Sequence, residues 1–348
     1  MKSKTSKTKR ILAVVLAAVC ILALCFAALI SPTGASANMS YSDKTNEGSW
    51  DMVSAADWMG NVNGALKLSE ISMPGSHDTG TQYVTLPLIG RCQDSSIPQQ
   101  LDMGVRVLDI RLNTHDDGSG GVALTISHGF LDCKERPYLA AESLSFDKVL
   151  SDCREFLKAH PTETILMLVK HENGDATPQQ VQDALAKAFG DASDIYTENR
   201  NPSLDEVRGK IILARRYGGA ADGLEGLNFC WADQGGEGVA GTPYAQMEVS
   251  PDLRLYVQDR YEYGLQDKIN AVTYCLDNSQ AKDDSLLLNY LSTKGTSTYG
   301  VPKNFAADMN KWFIEKELLS GKNYGCVMFD FVSEGLARHV FATNKYYA

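Results

Sequence analysis

Residues 145–170 read SFDKVLSDCREFLKAHPTETILMLVK. Phe146, Val149, Leu150, Cys153, Phe156 and Leu157 recur at i, i+3, i+4 and i+7, the spacing that gathers apolar side chains on one face of a helix. Pro161 lacks the N–H that a further turn needs, so the helix stops before it. The run 164–170 is apolar and shows little alternation, as expected of a strand covered on both faces. A helix leading into such a strand points to alternating strands and helices around a parallel sheet.

The same kind of run recurs on either side. Residues 68–73, 105–111, 122–128, 210–215, 253–258, 286–291 and 324–331 read as strands, and 306–319 as a second helix. No linker, charge block or fixed repeat interrupts 56–348. Eight strands over that length predict a single-domain α/β chain folded as a distorted (β/α)8 barrel of the TIM type.

The chain has 348 residues, with 33 Lys and Arg against 43 Asp and Glu, a formal charge of −10. An acidic balance excludes non-specific nucleic-acid binding, which needs a basic face to displace counterions. Lys2, Lys4, Lys7, Lys9 and Arg10 precede an uncharged apolar run at 11–30, and Ala35-Ser36-Ala37 follows as a small-x-small site. Residues 1–37 therefore read as a secretory signal peptide rather than an uncleaved anchor, and the protein as secreted. Its removal leaves 28 basic and 43 acidic residues, a charge of −15. Residues 38–55 form a polar N-terminal segment ahead of the barrel at 56–348. Six cysteines remain: Cys92, Cys133, Cys153, Cys230, Cys275 and Cys326. An exported chain can pair them, but their wide spacing fixes no pattern. The lack of Cys-x-x-Cys gives no support to structural zinc.

In a barrel of this type the chemistry sits at the C-terminal ends of the strands. Seven of the eight runs end in ionisable groups: His77 and Asp78; Asp109 and Arg111; His128; Lys170, His171 and Glu172; Arg215 and Arg216; Asp259 and Arg260; Asp330. Two histidines and an arginine suit phosphodiester transfer to an internal hydroxyl. One neutral imidazole takes the proton of the attacking hydroxyl, and the other gives one to the leaving oxygen. The guanidinium forks onto the phosphoryl oxygens. A carboxylate behind a histidine fixes its tautomer, a place Asp330 or Asp78 could fill.

The run 71–81, ISMPGSHDTGT, resembles the opening motif of bacterial phosphatidylinositol-specific phospholipases C. The resemblance continues in QLDMGVRVLDIR at 100–111, SHG at 127–129, PTETILM at 161–167 through Lys170, RGKIIL at 208–213 with Arg215 and Arg216, VQDRY at 257–261 and VMFDF at 327–331. It implies a distorted barrel that cleaves phosphatidylinositol to diacylglycerol and a cyclic inositol phosphate. Glycosylphosphatidylinositol-anchored proteins are candidate further substrates. By the same resemblance His77 is the general base for the inositol 2-hydroxyl, with Asp330 behind it. His128 is the general acid, assisted by Asp78. Arg111 grips the phosphate, and Asp109 is its electrostatic partner. Lys170, Arg216, Asp259 and Tyr261 form the inositol pocket, with either Arg215 or Arg216 facing it. Arg111 supplies the positive charge that calcium supplies in other relatives, so no metal or cofactor is expected. The alternatives are a metal-dependent phosphodiesterase on another barrel and a barrel that binds inositol lipid without turning it over.

Other histidines read as structural. His115 falls in a solvated turn, His160 caps a helix end, and His339 lies on a surface helix. A lipid substrate calls for brief contact with a membrane interface by a monomeric protein. Residues 83–89, YVTLPLI, are the first candidate for that contact, and Phe229 with Trp231 the second.

Overall fold

The computed structural model describes Trp50 and residues 53–348, apart from 139, 192, 219–223, 237–242, 279–283, 298–299 and 347–348. The stretch read as a signal peptide at 1–37 and most of the 38–55 segment lie outside the described residues. Trp50 and Val53 of that segment are buried, and Trp50 packs on Phe341 and Tyr346. The folded body thus reaches back at least to Trp50. No helix among the described residues is long and apolar enough to cross a membrane.

The elements in chain order are β1 (Met73–Ser76), α1 (Pro87–Gly90), α2 (Ile97–Asp102), β2 (Val107–Asp116), β3 (Val122–His128), β4 (Leu131–Asp132), α3 (Phe146–Ala159), β5 (Ile165–Asn173), α4 (Pro178–Phe189), β6 (Ile195–Tyr196), α5 (Leu204–Val207), β7 (Ile211–Arg216), β8 (Leu227–Asn228), β9 (Ala245–Ser250), β10 (Leu253–Gln258), α6 (Leu265–Asp277), β11 (Ser285–Tyr290), α7 (Pro302–Glu315), β12 (Cys326–Phe329) and α8 (Glu334–Phe341). The helix read from 145–170 forms as expected. Ser145 caps it by accepting from Lys148 N, and His160 is its C-cap. Its six patterned apolar side chains are all buried. Each such burial stabilises by about 1.5–3 kcal/mol relative to exposure.

The sheet runs β6–β7–β5–β2–β1–β12–β11–β10–β9. Its pairs are parallel up to β10, which pairs antiparallel with β9. Among the described residues no ladder joins the two ends of this order. The Asn199 side chain instead links β8, which pairs with β7 off this order, to β9, accepting from Asn228 N at 3.1 Å and donating to Val249 O at 2.9 Å. This is a single-domain, distorted TIM-type barrel.

Three expectations shift. Residues 68–70 form a 3-10 turn, and the first strand starts at Met73. Leu68 and Ile71 are buried all the same, so the apolar run marks core rather than strand. Residues 122–128 form not a parallel stave but the return arm of a hairpin, antiparallel to β2. Their outer positions are only partly covered. The second helix lies at Pro302–Glu315, started by Pro302 in its first turn.

Strand alternation separates two apolar clusters. One lies between sheet and helices and includes Leu108, Ile110, Met167 and Leu213. The other fills the barrel and includes Val107, Leu168, Ala214, Val257, Leu288 and Met328. Gly75 of β1 belongs to this crowded interior. A Cβ there would lie 2.3 Å from Met328 Sδ and 2.9 Å from Val107 Cβ, closer than any side chain can stand.

Candidate active site

Two residues further along each strand, the inward positions turn from apolar to charged. Val107 gives way to Asp109 and Arg111, Leu168 to Lys170, Ala214 to Arg216, Val257 to Asp259 and Met328 to Asp330. A period of two makes this switch one layer across the barrel. The register confirms the layer, with Arg111 opposite Lys170 and Lys170 opposite Arg216.

His77 and Asp330 follow directly on the last β1–β12 rung, Ser76 with Phe329. His77 Nδ1 is 2.7 Å from Asp330 Oδ1. Gln93 laces the two strand ends by donating to both His77 O and Phe329 O at 2.8 Å. The next residue on one strand and the residue after Asp330 on the other, Asp78 (φ 46°) and Phe331 (φ 51°), are the described non-glycine residues with left-handed backbone. Such strain costs on the order of 1–3 kcal/mol and persists only where surroundings enforce it.

Asp78 is the hub. Its Oδ2 lies 3.2 Å from His77 Nε2 and 3.5 Å from His128 Nε2, and its Oδ1 lies 3.0 Å from Arg111 Nε. Arg111 also meets Asp109 Oδ2 at 3.1 Å, Glu172 Oε1 at 3.5 Å and His77 Nε2 at 2.9 Å. His128 donates Nδ1–H to Gly90 O at 2.9 Å. That bond leaves its Nε2 facing the site. His77, His128 and Arg111 keep partial exposure, whereas Asp78 and Asp109 are buried.

Charge sets the proton affinities. Burial opposes a proton on His77, but Asp78 and Asp330 outweigh it and raise the pKa to about 9. Burial would raise Asp109, yet Arg111, His77 and Arg216 hold it below the usual carboxylate range. Glu172 is likewise drawn down, to about 2, by Arg111 and Lys170 against burial.

Sequence left Arg215 and Arg216 undecided; strand parity decides between them. Arg215 points away from the barrel interior, donating to Glu225 O at 2.8 Å and Gly218 O at 3.1 Å. Arg216 faces the interior and lies 3.3 Å over the Trp231 ring. Lys170 reaches Glu172 at 2.5 Å. Asp259 is held through its backbone N by Gln234 Oε1 at 3.3 Å. Tyr261 sits apart from the Asp78–Arg111 network. Its hydroxyl donates to the Asp233 carboxylate at 2.9 Å, and Lys294 Nζ lies 5.5 Å from its ring centroid.

Tyr290 was not singled out from sequence, Glu172 was noted only as a strand-end charge, and Trp231 was read as a membrane contact. Glu172 is re-aimed by a bulge: Leu112 pairs with His171 but Asn113 with Asn173, leaving Glu172 as the extra residue. His171 instead bonds Thr114 Oγ1 at 3.1 Å. Phe229 is fully buried and so does not face a membrane, and the partly buried Trp231 carries Arg216 on its ring. His339 is also buried rather than on the surface, donating to Lys316 O at 2.8 Å. His115 is exposed but ends β2, where it bonds Thr125 Oγ1 at 3.0 Å. The six cysteines are free thiols, Cys230 exposed and the rest buried.

Among the described residues, His77, Asp78 and Cys92 bring ligand-type atoms within 4.8 Å of one another. The Arg111 guanidinium already bonds Asp78 and contacts His77 Nε2, and burial pushes the Cys92 thiol pKa up. A cation would have to displace the one and ionise the other. The set fits a bound anion held by Arg111 better than a metal.

The family described as phosphatidylinositol-specific phospholipase C, X domain, matches residues 67–217. A 1-phosphatidylinositol phosphodiesterase of Staphylococcus aureus (strain Newman) is 27% identical over 286 residues, 77% of this chain and 85% of that protein. One of Listeria monocytogenes serovar 1/2a is 26% identical over 323 residues, 84% of this chain and 86% of that protein. A solved mutant of the Staphylococcus aureus phosphatidylinositol-specific phospholipase C superposes with a TM-score of 0.70 at 25% identity, covering 85% of this chain and 98% of that one. The enzyme from Listeria monocytogenes shares the fold at a TM-score of 0.61 and 23% identity, covering 84% and 100%. Over residues 67–217, and at 26–27% identity over most of its length, the chain is thus similar to phosphatidylinositol-specific phospholipases C, and it shares their fold.

Proposed function

We propose that this chain is a secreted phosphatidylinositol-specific phospholipase C that releases diacylglycerol and inositol 1,2-cyclic phosphate. The observation that carries this reading is the convergence of His77 Nε2 and His128 Nε2 on one carboxylate oxygen of Asp78, with Arg111 on the other. An in-line displacement needs a base and an acid on opposite sides of one phosphate, with a cation beside it.

In the proposed reaction the inositol 2-hydroxyl oxygen attacks phosphorus while His77 Nε2 takes its proton. The phosphorus–oxygen bond to glycerol breaks, and His128 Nε2–H protonates the departing oxygen. Asp330 holds the His77 tautomer with the proton on Nδ1. Asp78 supports the positive charge passing between the histidines. Asp109 anchors the guanidinium of Arg111, which neutralises the phosphoryl oxygens without a metal. Lys170, Arg216 and Asp259 offer charged hydrogen bonds to the ring hydroxyls, and Tyr261 an aromatic face. A glycan on the inositol leaves this step unchanged, so glycosylphosphatidylinositol anchors are candidate substrates of the same site.

Access is from a membrane surface. Leu86 and Leu88 on and beside α1 are about half exposed, and Phe130 in the β3–β4 turn is 72% exposed. The two segments are tied by Thr85 N to Asp132 O at 2.9 Å and by His128 Nδ1 to Gly90 O. An apolar rim thus stands beside the proposed acid. A net acidic protein gains nothing from anionic headgroups, so contact is brief and apolar.

Phosphorus NMR of the purified protein with phosphatidylinositol micelles in excess chelator tests the reading. Cyclic inositol phosphate is expected, with a loss of about 10²–10⁴ in rate for His77→Ala and for His128→Ala. Turnover only after calcium is restored would replace this mechanism with a metal-dependent one. Binding without turnover would leave a lipid-binding barrel.

A further inference from the structure

Tyr290 ends β11 and shares inward parity with Leu286 and Leu288. It pairs with Met328, one inward position below Asp330. Its ring meets His77 edge-on, with centroids 5.9 Å apart at 88°, and lies 6.2 Å from Trp231. The side chain is fully buried, and its hydroxyl has no hydrogen-bond partner. A buried tyrosine hydroxyl ordinarily finds one, and leaving it unpaired costs stability. Phenylalanine would pack here without that cost. Nothing in the folded chain therefore accounts for the oxygen.

The phenol is not alone. Asp109 Oδ1, Arg216 Nη1 and Trp231 Nε1 are also buried without a hydrogen-bond partner. The charges that act on the phenol are Asp109, Arg216, Asp259 and Arg111, the same groups that define the proposed substrate layer. An acceptor, two donors and a hydroxyl that can do either thus stand unpaired in side chains that act on, or pack against, one another. A ring bearing several hydroxyls satisfies such a set, and an apolar ligand does not.

We propose that the Tyr290 hydroxyl is a substrate-binding group that hydrogen-bonds a ring hydroxyl of inositol at the floor of the site. This deepens the phospholipase reading and rests on it. The oxygen then contributes to selecting a polyhydroxylated headgroup, while His77 and His128 carry the proton transfers.

The test compares the wild-type protein with Tyr290→Phe by thermal unfolding, by kinetics on monomeric short-chain phosphatidylinositol, and by titration with free myo-inositol. The expected result has three parts. The unfolding midpoint stays level or rises. KM and the myo-inositol dissociation constant rise about five- to tenfold. The pH limbs of kcat do not move. Unchanged KM and unchanged inositol affinity would overturn the proposal, as would a fall in the unfolding midpoint alongside weaker binding, which marks a structural hydroxyl. A wild-type protein that binds inositol without cleaving the lipid refutes the phospholipase reading alone; weaker inositol binding in Tyr290→Phe would then still support the hydroxyl's role.

Discussion

Arg111 Nη2 stands 2.9 Å from His77 Nε2. A guanidinium can only donate, so in this arrangement Nε2 accepts and Nδ1 carries the proton bonded to Asp330. A proton on Nε2 would instead turn to Asp78 Oδ2, 3.2 Å away. The ring is thus held between a neutral form stabilised by Arg111 and a charged form stabilised by Asp78 and Asp330. A phosphate that draws Arg111 toward itself removes one of these contacts.

In the proposed mechanism His77 must lose its proton to act as base, and the two carboxylates raise its pKa to about 9, which places the acid limb of kcat/KM there. Asp330→Asn removes one of those charges and with it the lock on the tautomer. The expected outcome is an acid limb shifted to lower pH and a kcat reduced by about 10²–10⁴. A pH–rate profile of both proteins checks it; an unmoved limb would mean that Asp330 does not act through His77. Stability carries the same signature. The folded pKa lies above the unfolded value, so the stabilisation from His77 is complete below pH 6.5 and is lost as pH rises through about 9. Thermal midpoints of the wild type and His77→Ala should converge over that window.

As the proposed general acid, His128 should matter only as much as the leaving group needs a proton. An inositol phosphodiester with an aryl alcohol of low pKa should restore most of the rate to His128→Ala and none to His77→Ala. Parallel kinetics on the natural and aryl substrates read this directly. Equal rescue of both variants would remove the assignment of separate base and acid.

If the exposed rim of Leu86, Leu88 and Phe130 meets the lipid surface as proposed, it acts on interfacial contact and not on the bond. Leu86→Ser with Phe130→Ser should lower turnover of phosphatidylinositol in vesicles by about tenfold or more, since each side chain gives up on the order of 1.5–3 kcal/mol of apolar burial. Turnover of monomeric short-chain lipid should stay within about twofold. A uniform loss on both substrates would place these residues in the fold.

Arg106 and Glu163 are both fully buried and 2.8 Å apart. Arg106 also donates to Leu101 O, Val105 O and Ala56 O, joining the start of β2 to the segment before β1. Glu163→Ala leaves an uncompensated buried charge and should destabilise by about 3–5 kcal/mol. Denaturant unfolding measures the loss. Activity in the folded fraction should persist, because neither residue approaches the site.

Much of the site was legible before the fold. His77, His128, Arg111 and Asp330 could be placed at strand ends because apolar runs end where the barrel interior meets solvent. Parity along β7 was also available: Ala214 is inward, so Arg216 is inward and Arg215 is not. Glu172 was noted at a strand end, but its place beside Arg111 was hidden because a bulge breaks that parity after Leu112. Tyr290 escaped because 286–291 is the one run that ends without a charge, and a tyrosine there reads as core.

The sequence by itself determined the alternation of strand and helix, the cap at Ser145, the stop at Pro161 and the residue types of the site. These depend on interactions within a few residues, so local patterning suffices to specify them. Only the tertiary structure decided that 122–128 returns antiparallel, that Trp231 backs Arg216, and that two histidines 51 positions apart share one oxygen of Asp78. Those facts depend on which strands become neighbours and at what register. That choice is made by packing between segments far apart in the chain, and no local pattern encodes it.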